Sequence, residues 1–156
     1  MNRKTTAVKL ETLEQGWHFV DAKDQILGRL ATEIAKVLMG KNKAIFTNTA
    51  NVGDKVVVTN AEKIVVTGKK LTDKKYMWYT GFPGGLRSQS LAEKLEKNPT
   101  QVVQAAVKGM LPKNRLQKIR MANLYIYAGA EHPHQAQISQ IGKEKKNLER
   151  SSMTKE

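Results

Sequence analysis

The chain has 156 residues, 40% of them apolar, a formal net charge of +13, a pI near 10.0 and no cysteine. That length suits one domain with a true core, the lack of cysteine excludes disulfides and thiolate metal sites, and no run approaches the roughly 18 apolar residues of a membrane-spanning helix. So large a cationic surplus exceeds what solubility requires and points to phosphate as its counter-charge.

The leader, residues 1–16, reads as an N-terminal extension. It has no apolar signal-peptide core after Met1, which predicts a soluble protein of a cytoplasmic-type compartment. Asn2-Arg3-Lys4-Thr5-Thr6, basic and hydroxyl-rich, keeps an organelle as the alternative. Trp17-His18-Phe19-Val20 reads as a short, largely buried strand closed by Asp21, with His18 a satisfied interior or edge histidine. Ile26, Leu30, Ile34, Val37 and Leu38 then fall in one stripe at helical spacing, and Gly40 stands where a helix end tolerates positive φ. Arg29 and Lys36 lie about 20° apart on the polar face of that helix, and Lys41 and Lys43 extend the positive edge beyond it. All four are candidate phosphate contacts.

Lys55–Val58 and Ile64–Thr67 are β-branched runs, predicted as strands joined by a hairpin or a one-turn connection. Gly68 ends the second run, and Lys69, Lys70, Lys74 and Lys75 follow as a solvent-facing cluster opposed only by Asp73. Ser90 with Glu93 forms the pattern of a capping box, opening a helix that Pro99 stops. Thr100 is the predicted cap of the next helix, whose stripe is Val102, Val103, Ala106, Val107 and Met110 and whose end is marked by Gly109 and Pro112. Helicity resumes near Asn114, and Leu124–Tyr127 forms a last strand released by Gly129. From Lys143 to Glu156 the tail is almost devoid of apolar residues, and disorder is its expected state. With no repeat and no long linker, residues 17–142 are predicted to be one α/β domain built around a mostly parallel sheet.

The chemistry lies in the cations. Between Lys97 and Ala130 there is no Asp or Glu, whereas Lys108, Lys113, Arg115, Lys118 and Arg120 crowd around the turn-forming Gly109-Met110-Leu111-Pro112. Tyr76, Trp78, Tyr79 and Phe82, four of the nine aromatics, interleave with Lys74, Lys75 and Arg87 in another acid-free stretch. Rings can stack on unpaired bases while cations hold phosphate; the competing reading is that alternate rings fill the core. Gly81-Phe82-Pro83-Gly84-Gly85 is a mobile-turn candidate that could present N–H groups to phosphate. It lacks a dinucleotide fingerprint, and Thr67–Thr72 fails as a P-loop because Lys63 and Lys70 occupy positions that need Gly and Ser or Thr. His132-Pro133-His134 is short of the ligands a metal needs, so these imidazoles are assigned to hydrogen bonding with RNA or backbone. No nucleophile and base pair is recognisable. These residues describe an RNA binder with no cofactor, no metal, no membrane and no small-molecule substrate.

The ordered motifs resemble bacterial-type large-subunit ribosomal protein thirteen. They are Leu27-Gly28-Arg29-Leu30-Ala31, Gly53-Asp54, Asn60-Ala61, Val66-Thr67-Gly68-Lys69, Thr80-Gly81, Pro83-Gly84-Gly85-Leu86, the run Ala106–Asn114, Tyr127-Ala128-Gly129 and His132–Gln137. The resemblance implies a three-layer α/β/α sandwich with basic loops and extended termini. It also implies binding to large-subunit ribosomal RNA, a part in early subunit assembly, neighbouring ribosomal proteins as partners, and no catalysis. It favours Arg29, Lys41, Lys69, Lys75, Lys108, Lys113, His132 and His134 as contacts, while Arg115, Lys118 and Arg120 rest on charge alone. Tyr79 stands where the family usually has histidine, Asn48 and Asn51 replace common Pro and Asp, and Ile138 replaces a usual proline. Two rivals remain: a regulator that binds a messenger RNA with the same face, and an enzyme acting on nucleotide or RNA phosphates.

Overall fold

The computed structural model describes Leu13 and residues 15–137. Most of the expected N-terminal extension and the whole polar tail from Lys143 lie outside the described residues. Strands β1 (Trp17–Asp21), β2 (Lys55–Thr59) and β5 (Leu124–Ile126) form a parallel sheet in the order β1-β2-β5. Parallel neighbours need crossovers. Helix α1 (Leu27–Met39) lies in the first, and α4 (Pro99–Met110) and α5 (Leu116–Ala122) in the second. The chain is α/β with a mostly parallel principal sheet, as its alternating elements predict.

Side-chain alternation divides the sheet. Val20, Val56, Val58, Leu124 and Ile126 face the core with Leu30, Ile34 and Leu38 of α1 and Val102, Val103 and Val107 of α4. On the other face Val57 is also fully buried. There Trp17 stacks on Tyr125 at 5.6 Å, His134 lies 4.7 Å from Tyr125, and His132 lies 5.7 Å from Phe19, ring centre to ring centre. β1 is therefore half-buried rather than largely buried, because a thin layer of rings covers its outer side.

Helix α1 ends as its sequence predicts. Gly40 takes φ 76°, its N–H bonds the Val37 carbonyl at 2.9 Å, and the Lys41 N–H bonds that of Lys36 at 3.0 Å, the paired closure of a Schellman turn. Gly53 passes directly beneath this helix end, and a Cβ built on it would stand 1.9 Å from the Leu38 carbonyl oxygen. Beside it Asp54, only 4% exposed, accepts from the Gly16 N–H at 2.9 Å, from His18 Nε2 at 2.9 Å and from Lys43 Nζ. Burial alone would raise this carboxyl, yet the bonds from Lys43, His18 and Gly16 outweigh it and hold its pKa below the ordinary value. A depressed carboxylate contributes stability that is full above its unfolded pKa and lost as pH falls through the folded one. Asp54→Asn is thus expected to cost on the order of 2 kcal/mol at pH 7. In urea unfolding, the gap from the native chain should close below about pH 4.

Two expectations need correction, and one element was not foreseen. Ile64–Thr67 is not a ladder strand: a 3-10 turn, Ala61–Lys63, leads into it, and its one bridge joins Val65 to Ile26. Propensity recognised an extended segment, but the edge it reaches offers only the short entry to α1. Thr100 caps nothing, because Pro99 itself is the first helical residue and Asn98 the N-cap, a position where proline's missing N–H costs nothing. The largest omission is an antiparallel hairpin, β3 (Lys75–Tyr79) with β4 (Leu86–Ser90). Its second strand, Leu86-Arg87-Ser88-Gln89-Ser90, has too little β-branched content to announce itself. Ser90 does cap α3 (Leu91–Lys97), accepting the Glu93 N–H at 3.3 Å.

Candidate nucleic-acid interface

The α4–α5 corner is held by one side chain on two backbone carbonyls. Leu111 leaves the helix in an extended conformation, and Gln117 of α5 donates to the carbonyls of Lys108 at 3.0 Å and Leu111 at 3.2 Å. This bracket fixes the two helices around an open depression lined by Lys108, Arg115, Lys118 and Gln117. A second depression, sharing Lys108 and Gln117, adds Lys113. All four cations are exposed. Their carrier is bracketed by Gln117, and their side chains face solvent.

Next to this corner runs a largely apolar groove between the first turn of α1, the end of α4 and the short helix α2 (Lys70–Asp73). Gly28 and Gly109 keep its walls low, and Lys70 and Lys74 stand on the far bank with Asp73 between them. Ala105 and Gly109 line both this groove and the Lys113 depression, so the two are adjacent. Lys69 precedes α2 and Lys75 opens β3, both exposed. Arg29, exposed on α1, follows Gly28 at the groove's edge. The first turn of α1 has no side-chain cap and no acid, and its Leu27 N–H bonds the Val65 carbonyl at 3.0 Å.

The sixteen candidate residues do not share one surface. Lys36 and Lys41 lie at the opposite end of α1, around a depression they share with Glu33. Lys43 is turned inward on Asp54 and serves the fold. Arg120 is 2% exposed, and its Nε has no hydrogen-bond partner; burial depresses its pKa. It is therefore not the surface phosphate contact that charge alone suggests. Helical phase explains the difference, since Leu116 and Arg120 are one turn apart on the inward side of α5 while Lys118 points out. His132 and His134 belong to the ring layer on the far face of the sheet. The His132 Nδ1 accepts the His134 N–H at 3.2 Å, and these half-buried imidazoles support the segment after β5. Among the described residues no cluster of His, Cys, Asp or Glu could hold a metal ion, and no helix is long and apolar enough to cross a membrane.

The family model described as Ribosomal protein L13 matches residues 15–133. This chain belongs to the ribosomal protein L13 family. A large ribosomal subunit protein uL13 from Pelobacter propionicus is 52% identical over 138 residues, covering 88% of this chain and 97% of that protein. Proteins of the same name are 52% identical over 135 residues in Thermotoga maritima (86% and 91% covered) and 49% identical over 137 in Halorhodospira halophila (88% and 96% covered). The resemblance read from the ordered motifs is thereby confirmed. Membership makes the chain a structural ribosomal protein rather than an enzyme.

Within the L13 family reading, the structure adds residues that charge counting passes over. Gln117 has no charge, yet it sets the corner on which four cations ride. Trp78, Tyr79 and Phe82 do not fill the core: they are 51%, 63% and 73% exposed, and only Tyr76 of this group packs against the core. The signal for both was present, a glutamine inside an otherwise basic helix and aromatics flanking a glycine turn, but the first becomes legible only with the α4–α5 corner and the second only with the hairpin register.

Proposed function

We propose that this L13-family chain, with residues 17–142 as its folded unit, binds large-subunit ribosomal RNA and supports early subunit assembly in contact with neighbouring large-subunit proteins. The cytoplasmic ribosome is its proposed place of work. The observation that carries this reading is two neighbouring sets of exposed cations: Lys70 and Lys74 line the groove, with Lys69 and Lys75 next to them in the chain, and Lys108, Lys113, Arg115 and Lys118 line the depressions at the α4–α5 corner. RNA segments that fold together repel through their phosphates, and two neighbouring sets of exposed cations lower that cost. Arg29 and Arg87 extend the same field, Lys36 and Lys41 supply a second contact at the far end of α1, and His132 and His134 contribute mainly by holding the last described segment in place.

Crosslinking in intact cells, followed by sequencing of the RNA attached to this chain, tests the reading. The expected product is large-subunit ribosomal RNA, recovered from fractions that sediment with ribosomal particles. Recovery of a messenger RNA from particle-free fractions would support the regulator instead.

A further inference from the structure

The β3–β4 hairpin displays five large apolar side chains, Met77, Trp78, Tyr79, Phe82 and Leu86, each at least half exposed. A patch of that kind with a polar rim marks a contact surface. The register gives the patch two sides. Tyr76 pairs with Gln89 and Trp78 with Arg87, which share one face, whereas Met77 opposite Ser88 and Tyr79 opposite Leu86 share the other. On the first face Tyr76 roots the hairpin against the core, with Lys94 Nζ 4.2 Å and Lys74 Nζ 5.4 Å from its ring centre. Two positions farther out, Trp78 has no ring or cation from the described residues against it. Its neighbours on that face are Arg87 and Gln89, and from Lys74 to Ala92 the chain carries no acid.

We infer that Trp78 and Arg87 form a platform for an unpaired RNA base, the indole stacking on the base while the guanidinium and Lys74 take the flanking phosphates. This rests on the RNA-binding reading above and adds a site and a ligand conformation to it. Charge decides between occupants: an apolar protein surface would desolvate Arg87 and Lys74 without offering either a counter-charge, while a single-stranded polyanion satisfies both the cations and the ring. The closing turn keeps the ring in reach, because the Thr80 N–H bonds the Gly85 carbonyl at 3.0 Å and the Gly85 N–H bonds the Phe82 carbonyl at 2.8 Å.

The test uses the full chain with a short oligoadenylate and, for comparison, a blunt RNA duplex of equal length. Intrinsic fluorescence should be quenched by the oligoadenylate in the native chain and not in Trp78→Ala, which retains only Trp17. Trp78→Ala should lose roughly tenfold to hundredfold in affinity for the oligoadenylate, with an unchanged salt slope and little change toward the duplex. Trp78→Leu, which keeps apolar bulk without a π face, should behave like the alanine variant, and Trp78→Phe should retain most of the binding. Arg87→Gln should instead reduce the salt slope by about 1. If Trp78→Ala and Trp78→Leu bind as tightly as the native chain while Arg87→Gln weakens binding, the platform is overturned and the RNA reading stands. If these variants lose only a neighbouring large-subunit protein, the hairpin is a protein dock and the platform is likewise overturned. A native chain that binds neither RNA overturns both.

Discussion

Exchanging Lys113 and Arg115 together for glutamate will leave the chain folded and keep it out of large subunits. Both side chains are exposed on the corner that Gln117 brackets, so neither change disturbs the packing beneath. Each phosphate left without its cation lowers the slope of log affinity against log salt by about 0.9. Two such phosphates, each now facing a new negative charge, should weaken RNA binding at physiological salt by roughly a hundredfold or more. Sedimentation through sucrose should find the double variant in the light fractions, and binding curves at several ionic strengths should show a slope smaller by about 2. Normal incorporation of the double variant would remove this corner from the interface.

Gly53→Ala is expected to be the most damaging single substitution in the described core. The added carbon would meet the Leu38 carbonyl oxygen at 1.9 Å and its carbon at 2.5 Å, both backbone atoms of α1 that no rotamer change can move. Relief requires the segment leading into β2 or the helix end to shift, which would pull Asp54 from Lys43 and His18 and disturb the Gly40 turn. A loss on the order of 3 kcal/mol or more is expected, seen as a fall of about 10 °C in the thermal midpoint. Gly28→Ala is the control: its Cβ would meet nothing within 4 Å, and stability should change little. Equal effects of the two substitutions would disprove the close-approach argument.

What could be read from residue order was whatever local periodicity controls. The α1 stripe, its Gly40 stop, the Ser90 cap and the β2 and β5 runs all express backbone propensity and amphipathicity within a few residues. Long-range placement was not readable. Lys43 and Arg120 carry the same charge as their exposed neighbours, and nothing nearby says that one reaches Asp54 eleven positions on or that the other turns into the core. The aromatic stretch was ambiguous for the same reason: ring composition fits a core strand and an exposed hairpin equally well until Tyr76↔Gln89 and Trp78↔Arg87 fix its sides. The histidine pair was visible as a motif, but its position over Trp17, Phe19, Tyr125 and Tyr127 depends on a sheet assembled from both ends of the domain.

That sheet also sets a schedule for synthesis. Its middle strand, β2, cannot be flanked on both sides until Leu124–Ile126 is available, although Trp17–Asp21 emerges first. A nascent chain that has exposed β2 but not yet its third strand holds Val56 and Val58 beside an open edge, the kind of template other strands seek. Strand β2 therefore keeps one edge unpaired until synthesis has nearly reached the end of the described domain.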